Sequence, residues 1–264
     1  MIRTYPIAMR QNPEQNFFGK KFKHLQEEHL IKSTMTMKGT INKVCGALMV
    51  AFLGAFATIK IAPEHWGNVF YGGLAISLAT GLGCTFKPHM TCYLIWPYAF
   101  CKGITLGLIS FMLDSQLPGV ATEALFATFT TLGVIFIGQR SGLLRTTPRS
   151  RKIAMYAFSS FCWLQISCFV AHHFFGYMGS FYRILFGIEG KGTEGLISII
   201  ASLFVIVLLC FLLVGDLEMI RTGINQYKIS KNAEWYCAFI LLVSIFRVYF
   251  EILKLMAKSS RRRR

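Results

Sequence analysis

The chain has 264 residues, of which 54% are hydrophobic and 15% charged, with 24 Phe and a mean hydropathy of +0.49. So few charges cannot cover the outside of a soluble domain of this size, which makes lipid the expected solvent. The net charge of +16 would suggest nucleic acid in a soluble protein, but here Lys and Arg are concentrated in tails and loops, where they act as topology signals.

The first 43 residues are polar and basic, with no apolar stretch before Val44. They read as a basic cytoplasmic N-terminal tail and not as a cleavable secretory signal. Apolar runs of spanning length then follow over roughly 44–62, 68–86, 92–113, 118–138, 153–175, 195–215 and 234–257. Breakers fall between them: Pro63, Lys87-Pro88, Pro118-Gly119, Pro148, the glycines from Gly187 to Gly195, and the polar stretch from Arg221 to Asn232. The expected fold is all-α, a polytopic membrane bundle of about seven transmembrane helices over residues 44–257, closed by a basic C-terminal tail over 258–264.

Trp66, Tyr71, Tyr93, Trp96, Tyr177, Tyr182, Trp235 and Tyr236 gather near span edges, as amphipathic rings do at membrane interfaces. Gly103 and Gly107 form a small-xxx-small face suited to close helix packing. The eight Cys are scattered singly, most of them inside apolar runs, and read as small hydrophobes.

Orientation follows from the asymmetry of positive charge. The N-terminal tail, the loop with Arg140, Arg145, Arg149, Arg151 and Lys152, and the loop with Arg221, Lys228 and Lys231 are expected on the cytoplasmic side. Seven crossings leave Lys254, Lys258 and Arg261 to Arg264 on the other side, against the same rule. Two readings follow: either the last segment stops short of crossing, or earlier helices override a late basic tail.

Several stretches, in order, resemble the Bax-inhibitor/YccA-like membrane family, bacterial branch. Met37 to Lys43 resembles its lead-in to the first helix, and Trp96-Pro97-Tyr98 through Ser110 its small-residue third helix. Pro118-Gly119 with Ala127-Thr128-Phe129 resembles the fourth helix, and Gly215-Asp216-Leu217-Glu218-Met219-Ile220 the end of the sixth. Glu234-Trp235-Tyr236 and Tyr249-Phe250-Glu251-Ile252-Leu253 resemble the seventh. The resemblance covers roughly residues 35 to 257 and implies a pH-sensitive Ca2+ leak channel of the inner membrane. It also implies that Asp216 pairs with a seventh-helix carboxylate as a proton-responsive gate.

Ionisable groups at membrane depth cost roughly 2.5 to 3.5 kcal/mol each on insertion scales, so they face partners or water. The candidates are Lys102, Glu123, Asp216, Arg247 and Glu251. Two carboxylates a few ångströms apart cannot both ionise cheaply and would share a proton. Glu251 is one candidate partner of Asp216. Alignment on the helix end puts Ser244 there instead, about 10 Å away along the helix. Arg247, four residues before Glu251, offers a local neutralising contact. Lys102 and Glu123 stand where relatives usually carry Glu and Gln, and read as a swapped buried pair.

The adjacent His172 and His173 do not face together on a helix, which argues against a shared metal. No phosphate loop, Ser-His-Asp arrangement or His-Glu-x-x-His helix occurs, so neither enzymatic activity nor a cofactor is expected. The expected partners are the bilayer, Ca2+ or another permeant cation, and another membrane protein. The alternative function is a non-conducting regulator that binds a membrane protease or other integral partner.

Overall fold

In the computed structural model the described residues are 35–58, 65–141, 146–175, 193–227, 231 and 233–263. Every element among them is helical. The long helices are α1 Met37–Thr58, α2 Trp66–Phe86, α3 Thr91–Gln116, α4 Val120–Arg140, α5 Pro148–Phe175, α6 Thr193–Tyr227 and α7 Ala233–Arg263, with a 3-10 turn Pro88–Met90 leading into α3. Six of the seven are long and apolar enough to cross a membrane, and α5 is the exception. α5 has 28 residues, about 42 Å of helix. Its shortfall is in composition, with Arg149, Ser150, Arg151 and Lys152 near its start and Ser159, Ser160 and Ser167 further on.

The exterior is apolar. Leu53, Phe56, Tyr71, Phe86, Tyr93, Phe126, Ile137 and Trp163 are all exposed large hydrophobics. A soluble protein would bury such a surface, whereas a bilayer solvates it. The chain is therefore a multi-pass membrane protein.

Helices alternate in direction, which brings distant segments together at two ends of the bundle. At the first end, the start of α1 meets the start of α7 through Lys43 and Glu234. The ends of α4 and α6 join them around Met37, Phe136, Gln139 and Ile224. At the second end, Arg261 of α7 donates to Gln116 at the end of α3 (3.4 Å), and Lys258 donates to Ser202 near the start of α6 (2.9 Å). α7 therefore runs the full length of the bundle, and its 31 residues span about 46 Å. It is long and apolar enough to cross over Ala233–Arg261, and Arg261 lies at the opposite end from Lys43.

α7 is also the central element. In its apolar stretch 67% of residues are buried, against 17% for α2, which lies at the edge. The core around it includes Leu213, Leu217, Leu241, Leu242 and Ile245.

α1 and α3 approach backbone to backbone. A Cβ built on Gly103 would lie 2.1 Å from the Ala51 carbonyl oxygen, one on Gly54 would lie 2.5 Å from that of Phe100, and one on Gly107 would lie 2.8 Å from Ala55 Cα. The small-xxx-small face read from Gly103 and Gly107 is thus a helix contact, held by dispersion forces between main chains because lipid supplies no hydrophobic drive between helices. α3 ends at a turn where Gly119 takes φ +89, open to glycine at no steric cost. Asp114 Oδ1 accepts the Gly119 N–H there at 2.9 Å.

The cysteines are more varied than expected. Cys84 and Cys237 are buried, but Cys45 is exposed.

Candidate functional site

Asp216 lies on α6, eleven residues before its end, in an otherwise apolar wall. Its two carboxylate oxygens are engaged from two other helices. Oδ2 accepts the Ser244 hydroxyl of α7 at 2.7 Å, and Oδ1 accepts Arg151 Nη2 of α5 at 3.0 Å. The side chains of Arg151 and Asp216 retain only 20% and 13% of their exposure. Gly215 makes this geometry possible, since a Cβ there would sit 3.1 Å from Arg151 Cδ. The Arg151 stem therefore lies flat across α6, and its Nη1 also points at Met219 Sδ, 3.3 Å away. A charge-assisted pair plus a hydroxyl donor satisfies the carboxylate where water is scarce. One residue thus ties α5, α6 and α7 together.

Glu251 is not brought to Asp216. It is itself buried, but its partner is Lys254, one turn on, at 2.6 Å. Ser244, seven residues earlier, occupies the position beside Asp216, so the two carboxylates are separated by about 10 Å along α7. In this structure the two carboxylates do not share a site, as a proton-sharing pair requires.

Arg247 does not neutralise Glu251 either. It turns outward and stacks over Phe158 of α5, 5.5 Å from the ring centroid, a cation–π contact in place of an ion pair.

Lys102 and Glu123 also stay apart. Lys102 lies fourteen residues before the end of α3, and Glu123 is in the first turn of α4 on the other side of a tight turn. Their depths differ by about 15 Å. Glu123 is exposed near the bundle end, and among the described residues the two form no ion pair. His172 and His173 fall within α5, but their side chains lie outside the described residues.

A second ionic centre was not singled out from the sequence. Glu234, in the first turn of α7, is 2% exposed. Lys43 of α1 pairs with its Oε2, while Oε1 accepts the Thr36 N–H at 2.9 Å and the Thr36 hydroxyl at 3.3 Å. A Cβ on Gly39 would lie 2.6 Å from Glu234 Oε2, so glycine is what lets α1 close over the carboxylate. Lys43 also sits 4.7 Å from the Trp235 ring, which meets Trp96 edge to face at 5.9 Å. The readable signal was a carboxylate beside Trp235, near a tail-proximal lysine. In the sequence it enters only as part of the Glu234-Trp235-Tyr236 resemblance to the seventh helix, because its partner lies 191 residues away.

Close by, Gln139 Nε2 reaches Glu218 Oε2 at 3.5 Å, joining α4 to α6. A cavity of about 560 Å³ opens at this end, lined by Met37, Ile41, Gln139, Arg140 and Arg221 among others. Among the described residues, no group of three or more His, Cys, Asp or Glu is placed to hold a metal ion.

Compared with known proteins, residues 9–261 match a family model described as Bax inhibitor 1 like. No curated protein and no solved structure matches the chain.

Proposed function

Starting from the chain's membership of the Bax inhibitor 1 like family, we propose that it is a cation leak of the inner membrane, with Ca2+ or another cation as permeant. In this reading the leak is held shut by the Arg151–Asp216–Ser244 clamp, and the N-terminal tail is cytoplasmic. The observation that carries the reading is that both Asp216 oxygens are occupied by groups from two neighbouring helices. A carboxylate in that position is the hinge of three elements. Neutralising it, by a proton or by substitution, removes the attraction for the Arg151 guanidinium and leaves two helices to separate.

The gate differs from a dicarboxylate in one chemical respect. With Ser244 and Arg151 as partners, there is no second acid to share the proton, so a single protonation event at Asp216 is sufficient. Glu251, occupied by Lys254, takes no part.

The experiment is Ca2+-indicator flux into proteoliposomes between about pH 5 and 8. Parent protein is expected to leak more as pH falls, Asp216→Asn to leak at every pH, and Glu251→Gln to behave like the parent.

A second reading is favoured by a separate observation. Asp216, Glu234 and Glu251 are each neutralised in place by Arg151, Lys43 and Lys254. A bundle with these three carboxylates matched suits a non-conducting regulator that binds a membrane protease or other integral partner. Flux no greater than that of empty liposomes, from all variants with folded protein verified, would select this reading.

A further inference from the structure

Neither reading uses the cavity of about 560 Å³ at the first end of the bundle, a volume within the ~300–1,000 Å³ of small-molecule sites. Three helices enclose it: the first two turns of α1, the last turn of α4 and the last two turns of α6. Met37, Ile41, Phe136 and Ile224 supply an apolar wall.

The rest of the lining brings hydrogen-bond donors. Arg140 and Arg221 present guanidiniums from α4 and α6, and Gln139 adds a side-chain amide. Gln139 is only 6% exposed, and its Nε2 reaches Glu218 Oε2 at 3.5 Å, the long limit of a hydrogen bond. Among the described residues neither arginine makes a hydrogen bond, an ion pair or a ring contact. Arg151, Arg247 and Arg261 do have such contacts, with Asp216, Phe158 and Gln116.

Neighbouring charges do not cancel the two guanidiniums. Glu234 is already committed to Lys43 and Thr36. Glu218, beside Gln139, sets one carboxylate against two arginines. The helix dipoles oppose each other, because α1 brings its N-terminus to the cavity through Met37 and α4 its C-terminus through Arg140. An excess of positive charge therefore faces an enclosed, partly apolar space.

The donor count selects the anion. A carboxylate has two oxygens and one charge, which suit a single guanidinium fork. A phosphate has three or more oxygens and up to two charges, so it can accept from both forks and the amide together. We propose that this cavity binds a phosphate group, held between Arg140 and Arg221 with Gln139 as a third donor. A membrane lipid ending in a phosphate monoester and phosphate in solution offer the same chemistry, and the test separates these two sources.

The test uses the full-length protein purified in detergent. Inorganic phosphate is titrated by calorimetry with acetate as its comparison, and phosphatidic acid is followed by native mass spectrometry with phosphatidylcholine as its comparison. The parent is expected to bind at least one phosphate probe with roughly tenfold preference over its comparison, equal to about 1.4 kcal/mol. Phosphatidic acid as the tighter probe assigns the phosphate to a lipid, and inorganic phosphate as the tighter probe assigns it to solution. Arg140 and Arg221 are both exposed, so Arg140→Gln and Arg221→Gln should fold as the parent does, each with roughly tenfold weaker binding. Arg149→Gln is the control for general charge: Arg149 is also exposed and has no partner among the described residues, but it does not line the cavity, and binding should match the parent. Failure of both probes to bind, equal binding of acetate or phosphatidylcholine, unchanged affinity in Arg140→Gln and Arg221→Gln, or an equal loss in Arg149→Gln would overturn the proposal.

Discussion

Replacing Lys43 with Met leaves Glu234 buried without its cation. Removing one partner of a buried pair costs about 3–5 kcal/mol when the remaining charge has no other support. Glu234 keeps both contacts from Thr36, and Lys43 is 17% exposed, so we expect a loss of about 2–3 kcal/mol. Glu234→Gln should cost less, about 1–2 kcal/mol, because the long lysine stem lets its ammonium snorkel to the interface. The double variant Lys43→Met with Glu234→Gln should be about as stable as Lys43→Met alone, its loss falling short of the sum of the two by a coupling of about 1–2 kcal/mol. Thermal unfolding in detergent, followed by Trp fluorescence, reads this directly, since 1 kcal/mol corresponds to roughly 2–4 °C for a chain of this size. Strictly additive losses in the double variant, or an unchanged transition in Lys43→Met, would refute the reasoning.

Gly103→Val should prevent α1 and α3 from closing, because the clash at 2.1 Å is with the Ala51 main chain, which cannot give way. Size-exclusion chromatography should show loss of the monodisperse species, whereas Gly72→Ala, with nothing within 4 Å of its Cβ, should run as the parent. Gly119→Ala meets open space but must hold φ +89, and its unfolding free energy from a denaturation series should fall by about 1–2 kcal/mol from backbone strain alone. Maleimide labelling in intact vesicles should modify single-cysteine versions at Cys45 faster than at the buried Cys84 or Cys237. Tags placed before Met35 and after Arg263 should be accessible from opposite sides of the membrane.

Much of the fold was legible because lipid imposes a simple rule: backbone must be helical where the side chains are apolar. The span expected at 68–86 is the helix Trp66–Phe86, and the turn expected at Pro118-Gly119 is where α3 gives way to α4. Helix ends were less legible. α1 begins at Met37, inside the stretch read as tail, α6 continues to Tyr227, and α7 to Arg263. Hydropathy marks the part of a helix that sits in hydrocarbon, while hydrogen bonding carries the helix on into polar surroundings. Lys43 lies within α1 and is paired there with Glu234.

The ionic partners were the least legible. Asp216 follows from the family resemblance and Ser244 from alignment on the helix end, whereas Arg151 reads in the sequence as a loop charge that fixes orientation. Nothing local in the sequence connects positions 65 residues apart; the link depends on α5 lying along α6 and on Gly215 leaving room. The expected contacts of Glu251 failed for a similar reason. Helical spacing offered Arg247, but Arg247 stacks over Phe158, and Lys254, three residues after Glu251, takes its place.

The most direct measurement of the gating claim is Ca2+ flux in proteoliposomes carrying the exchanged pair, Arg151→Asp with Asp216→Arg, beside each single change. Each single change should leak at neutral pH, and the exchange, which restores the attraction with opposite polarity, should return flux toward the parent level. Flux unchanged in both single variants, or an exchanged pair as leaky as either one, would contradict the view that the contact between α5 and α6 holds this protein closed.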